Sequence, residues 1–200
     1  PFECRQHRFV VRYSQPTEGI VVLMHVVSIS SLKGGVGKTT VTLGLASAAF
    51  AANLRTLVVD FDPQSDVSTG LGVDTRDHLN VADVLANPKL KTVRQAIAPA
   101  GWSAPGHAPI DVMIGSPSAV NFDGPHPTAR EVWRLEEALA TVEDEYDLVL
   151  IDCAPSLNAL TRTAWAASDR VVVVTEPGLF SVAAADRALR APLRRLRCDV

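Results

Sequence analysis

Cysteine is scarce and never paired in this chain: Cys4, Cys153 and Cys198 are the only three in 200 residues, and none sits in a C-x-x-C pair. Three thiols, far apart and odd in number, suit a reduced cytosol. The five histidines, His7, His25, His78, His107 and His126, show no metal-ligand spacing, so no zinc site is expected. No apolar run approaches the ~20 residues that span a bilayer. Basic charge is not in excess either, since 19 Lys and Arg against 22 Asp and Glu leave a net charge of −3. Any contact with nucleic acid must therefore come from a local patch. Internal repeats and low-complexity tracts are absent. What remains is a chain 47% hydrophobic, able to bury a full core as one domain or slightly more.

What is present in concentrated form is glycine beside lysine. Lys33-Gly34-Gly35-Val36-Gly37-Lys38-Thr39-Thr40 follows the apolar run from Met24 to Ser30 and precedes an Ala/Leu-rich run from Thr40 to Ala52 with helical periodicity. Strand, glycine loop and helix in that order make a phosphate cradle. Residues without Cβ let backbone N–H groups turn inward, and the new helix points its positive dipole end at the same charge. Lys38 is placed to reach the β- and γ-phosphates, and Thr39 to hold Mg²⁺. Arg5, Arg8 and Arg12 ahead of Ile20 to Val27 faintly resemble a signal peptide, but cleavage after Ser28-Ile29-Ser30 would remove the strand that carries this loop.

The loop departs from the common G-x-x-x-x-G-K-[ST] pattern, which would need glycine at Leu32 and has no place for Lys33. It resembles the ParA/MinD family of ATPases, whose deviant motif K-G-G-x-G-K-[ST] is matched at every fixed position by Lys33 to Thr39. The resemblance implies a P-loop NTPase fold and binding of ATP with Mg²⁺ at Lys33, Gly34, Gly35, Val36, Gly37, Lys38, Thr39 and Thr40. It also implies an ATP-dependent homodimer in which Lys33 crosses to the partner subunit's nucleotide.

Beyond the loop, strands are expected near 25 to 30, 56 to 60, 110 to 115, 147 to 152 and 170 to 175. Helices are expected near 39 to 52, 79 to 86, 129 to 144, 157 to 167 and 180 to 191. Such alternation predicts an α/β fold, a mostly parallel twisted sheet with helices on both faces and ligands at the carboxyl ends of its strands. Residues 1–23 stand apart as an appendage, and 24–200 read as the P-loop domain, with a further strand starting near Val200 and the sheet incomplete there. The stretch 98 to 128, crowded with proline and glycine, is expected to be loop-rich surface around one strand.

Two acidic strand ends complete the pattern. Val59-Asp60-Phe61-Asp62-Pro63-Gln64 closes the second strand with two carboxylates, and Leu148-Val149-Leu150-Ile151-Asp152 is an apolar strand ending in an acid, the Walker B arrangement. The D-x-D-P-Q stretch and Ser68-Thr69-Gly70-Leu71-Gly72 resemble the ParA branch more than the MinD branch. Cys153-Ala154-Pro155-Ser156 is similar to the family's γ-phosphate-sensing switch. By the resemblance, Asp62 orients the attacking water, Asp60 supports the Mg²⁺ environment, and Thr39 and Asp152 bind the ion. Lys33, Lys38 and Asp62 then carry catalysis. The alternative reading makes Asp62 a solvated turn or helix cap. Ser31-Leu32, Ala154 and Asn158 depart from the family's usual residues at those positions.

The resemblance implies slow ATP hydrolysis driving chromosome or plasmid partition with a ParB-type partner, in a cytoplasmic, nucleoid-associated protein. Arg187, Arg190, Arg194 and Arg197 would form one basic stripe for non-specific DNA if helical, although Pro192 interrupts that helix. The alternatives are a MinD-like division-positioning ATPase, which needs a membrane-seeking amphipathic helix not visible here, and a nucleotide-dependent scaffold with little turnover.

Overall fold

The computed structural model describes residues 24–190. The appendage 1–23 lies outside the described residues, as do Arg194 and Arg197 of the basic stripe, the Arg190 side chain, Pro192 that interrupts the stripe, and the strand expected near Val200. The central sheet holds β1 (His25–Ser30), β2 (Thr56–Phe61), β3 (Ile97–Pro99), β4 (Ile110–Met113), β5 (Leu148–Cys153) and β6 (Arg170–Val173). They lie in the order β3-β4-β2-β5-β1-β6. Every pairing is parallel except β3 with β4. The α/β class and mostly parallel sheet are as expected from the alternating pattern.

Helices cover both faces. They are α1 (Lys38–Ala51), α2 (Asp66–Gly70), α3 (Val81–Ala86), α4 (Leu90–Gln95), α5 (Ala129–Val132), α6 (Arg134–Ala140), α7 (Ala159–Ala166) and α8 (Leu179–Arg190), with a 3₁₀ turn at Pro117–Phe122. All six residues of β2 are buried, and their side chains divide by parity. Leu57, Val59 and Phe61 enter one core with Leu85 of α3, Leu135 and Leu139 of α6 and Leu160 of α7. Val58 enters the other, with Ala46 of α1, Val67 and Leu71. β5 divides likewise, Val149, Ile151 and Cys153 against Leu150. Two-sided burial is why these strands read as unbroken apolar runs rather than alternating ones.

Several boundaries differ from the sequence expectation. The helix expected over 129 to 144 is divided at Trp133, whose ψ of −6° turns its carbonyl off the helix axis, and it ends at Ala140. β4 stops at Met113 because Ile114 turns its backbone elsewhere. Its N–H donates to the Ala96 carbonyl at 2.9 Å, and its carbonyl accepts from Val81 at 2.8 Å. The short elements α2, α4 and β3 were not anticipated. Each is six residues or fewer, too short to show a period. A tertiary cap starts α7: Asn158 at its N-cap makes no side-chain cap, and Asp123 from the distant loop accepts the Leu160 N–H at 3.0 Å instead.

Candidate phosphate-binding site

β1 lies between β5 and β6, so the loop that leaves its carboxyl end emerges beside the last residue of β5. Gly35 and Gly37 have φ of +75° and +92°, the left-handed region where a side chain is strained. Gly34, Gly35 and Gly37 have no other atom within 4 Å of where a Cβ would stand, so protein packing does not demand glycine there. What the glycines leave is an uncovered concave backbone. Gly37 is also the N-cap of α1, and no side chain caps that end. The first-turn N–H groups are therefore donors for an anion.

Lys38, the first residue of α1, is buried, whereas Lys33, Gly34 and Gly35 are exposed and Thr40 faces solvent. The Thr39 hydroxyl donates to Asp152 Oδ2 at 2.8 Å, and the Thr42 hydroxyl lies 3.0 Å from Asp152 Oδ1. Asp152 has no solvent exposure. Burial raises its pKa, opposed by the two threonines and the nearby Lys38 charge and reinforced by Asp62. Because Thr39 spends its proton on Asp152, its oxygen lone pairs remain for a cation.

Asp60 stands directly across from Asp152 in the β2–β5 register. It too is fully buried. Its Oδ2 accepts the Ser68 N–H at 2.8 Å and the Ser68 hydroxyl at 2.7 Å, and Ser68 Oγ in turn accepts the Gly115 N–H at 3.1 Å. Its Oδ1 has no partner. Burial pushes its pKa up to about 6 against the pull of Ser68, with Asp152 and Asp62 adding to the rise. Asp62 is 8% exposed and accepts the Gln64 N–H at 3.1 Å through Oδ1, bracing the turn into α2. Asp152 and Asp62 add to the rise at Asp60, and one Asp60 oxygen is orphaned, so the site holds uncompensated negative charge beside buried Lys38. Among the described residues no three acidic, histidine or cysteine side chains group to hold a metal ion by themselves, so a divalent cation here would rest on Thr39 and Asp152 together with phosphate oxygens.

Lys33 goes elsewhere. Its backbone is clipped by buried Ser31, whose Oγ accepts the Lys33 N–H and donates to the Lys33 carbonyl, both at 3.1 Å. Its ammonium pairs with Glu176, just past β6. Cys153, next to Asp152, is enclosed, and burial pushes its thiol up to about 12, so it is an inert core residue. Arg187 is exposed on α8.

Thr42, Ser68, Gly115 and Glu176 belong to this site and were not assigned from sequence. Thr42 had a signal, since it follows Thr39 by three residues and Lys38 by four and so shares their helix face. Glu176 had none, because only the β1–β6 pairing brings it to the loop.

Residues 24–191 match the family described as AAA domain. The chain is 34% identical over 170 residues to the chromosome partitioning protein ParA of Myxococcus xanthus, covering 83% of this chain and 57% of that protein. It is 35% identical over 185 residues to ParA of Caulobacter vibrioides, covering 87% and 64%. Among solved structures it resembles cobyrinic acid a,c-diamide synthase from Mycobacterium smegmatis with bound ADP and magnesium. That match has a TM-score of 0.71 and 26% identity and covers 84% of this chain and 66% of that one. The chain thus spans about 57 to 64% of the length of these curated relatives.

Proposed function

This chain belongs to the AAA domain family, within the ParA/MinD group of P-loop proteins, and from that premise we propose that it is an ATP hydrolase of the DNA-partition type. It binds ATP with Mg²⁺, pairs in an ATP-dependent dimer and hydrolyses slowly. The observation that carries the reading is the Thr39–Asp152 hydrogen bond, which ties the phosphate loop to the acidic end of the neighbouring strand. Without that tie the loop would be a glycine turn. With it, the anion site and the cation site are one.

The glycine backbone and the uncapped start of α1 receive the phosphates, and Lys38 neutralises them. Thr39 and Asp152 hold the cation, with Asp60 behind them as a buried negative charge. Mg²⁺ in such a site supplies neutralisation of the charge that develops on the phosphoryl oxygens. Asp62, whose backbone is fixed by the turn to Ser65, accepts a hydrogen bond from water and orients it for in-line attack. Lys33 completes the charge balance at the partner subunit's nucleotide, which makes turnover depend on dimerisation. Partition would use a ParB-type partner that stimulates hydrolysis and release, and DNA bound without sequence preference, with Arg187 and the stripe that follows it contributing in a nucleoid-associated, cytoplasmic protein.

Among the described residues no helix is long and apolar enough to cross a membrane. The test is Lys33→Ala, which is expected to abolish ATP-dependent dimerisation in light scattering. Dimers retained with normal hydrolysis sink the reading. DNA co-sedimentation with ATP across a salt series checks the cargo side: binding that weakens steeply with salt supports it, and vesicle binding in its place favours a MinD-like role.

A further inference from the structure

Among the described residues, Glu176 is an acidic side chain bonded to the loop that the proposed reaction does not use. It lies three residues past the end of β6, where the Val174 N–H still donates to the Ser30 carbonyl at 2.8 Å and so holds this segment alongside the start of the phosphate loop. Its Oε1 receives two donors. One is the Lys33 ammonium, and the other is the hydroxyl of buried Ser181 at 3.0 Å, in the first turn of α8. A carboxylate that is itself tethered to a helix is a fixed counter-charge, not a wandering surface acid.

We propose that Glu176 is a resting-state latch, a positioning residue that holds Lys33 within its own subunit and so opposes nucleotide-dependent pairing of two copies of this chain. The inference rests on the reading of Lys33 as a residue that acts across the dimer. Lys33 cannot serve a partner's phosphate while it neutralises its own Glu176. A triphosphate presented by the second subunit carries more negative charge than one carboxylate and out-competes it, so each latch opens only when the facing subunit is loaded. Because the same oxygen accepts Ser181, opening also removes the bond through which the loop restrains the start of α8. Nucleotide state is thereby passed to the helix that carries exposed Arg187.

The strength of the latch follows from its exposure. The two side chains are 47% and 46% exposed, which places the pair among surface ion pairs that stabilise by about 0.2 to 1 kcal/mol, a factor of about 1.4 to 5 in an equilibrium. The latch therefore sets a threshold and does not block. It is also screened, because both groups meet solvent.

The experiment is the ATP concentration for half-maximal dimerisation of the full chain, measured for the parent, E176Q, K33A and the double variant by light scattering at about 20 mM and about 500 mM salt. The expected result is a midpoint for E176Q about 1.4- to fivefold below the parent at low salt, closing to parity at high salt. The double variant should behave as K33A does. An E176Q midpoint equal to or above that of the parent, while K33A fails to dimerise, overturns the latch and leaves the proposed function standing. Parent-like dimerisation by K33A overturns both. Dimerisation regained in the double variant where K33A alone has none also overturns the latch, because Glu176 would then act without its lysine.

Discussion

Asp152 shares its two carboxylate oxygens between threonines one helical turn apart, Thr39 at 2.8 Å and Thr42 at 3.0 Å, so that the end of β5 is bonded to the first turn of α1. Thr39 is half-buried at the loop, where the proposed cation would sit. Thr42 is fully buried, and its hydroxyl lies between the second Asp152 oxygen and the Lys38 carbonyl at 3.1 Å, inside the helix and away from the loop.

That division predicts distinct phenotypes for the two threonines. Thr42→Val keeps the shape and removes the donor, and leaving a buried carboxylate oxygen unsatisfied costs about 1 to 3 kcal/mol. Urea unfolding should show that loss with nucleotide affinity reduced far less. Thr39→Val should do the reverse, weakening Mg²⁺-dependent nucleotide binding with a smaller change in unfolding midpoint. Equal effects of the two variants on both measurements would contradict the assignment.

Asp60 imposes a pH dependence on stability. Its folded pKa is raised from 3.8 to about 6, chiefly by burial, so between those values the folded protein binds the proton that the unfolded chain has released. Stability from this group therefore falls as pH rises from about 4 to about 6 and is flat above that, a total of about 3 kcal/mol at most. Asp60→Asn mimics the protonated acid and keeps an acceptor for Ser68. Its stability relative to the parent should grow across that window and then level off. Parallel curves from pH 4 to 7 in paired denaturation series would rule this out.

Gly115 is the position where the packing of the site is tightest. A Cβ there would stand 2.6 Å from Asp60 Cγ and 2.7 Å from both Asp60 Oδ2 and Ser65 Oγ. Gly115→Ala should cost about 1 to 3 kcal/mol as overpacking. It should also slow ATP turnover, since the displaced atoms belong to Asp60 and Ser65, which flank Asp62 along the chain. A melting temperature and turnover unchanged from the parent would show that the turn can move freely.

Asp62→Asn should lower ATP turnover by about 10²- to 10⁴-fold, the range for loss of a positioned proton acceptor, while nucleotide still binds. The amide oxygen can still brace the Gln64 N–H, so the turn is kept. Fluorescent-nucleotide binding alongside phosphate release separates the two effects. A turnover within a few-fold of the parent would reduce Asp62 to its turn role.

Most of this sheet could be read from the chain because two-sided burial leaves a one-dimensional signature, as in Val58, Leu150 and their neighbours. The loop could be read because glycine at positive φ beside lysine has few other uses. Short elements could not, since α2 and β3 are held by what they touch and not by any period of their own. The same holds within the site. Asp60 and Asp152 each stood out as acids ending apolar strands, but nothing local placed them opposite one another.

Sequence by itself determined the phosphate loop, the parallel α/β class and the identity of the acids, because backbone strain, apolar periodicity and charge are properties of neighbouring residues. Tertiary structure decided how those parts combine. Strand order set Asp60 across from Asp152, the β1–β6 pairing carried Glu176 to Lys33, and the turn after β4 pressed Gly115 against Asp60. Each of these joins residues at least 50 positions apart or sets a contact of under 3 Å, and no local pattern encodes either.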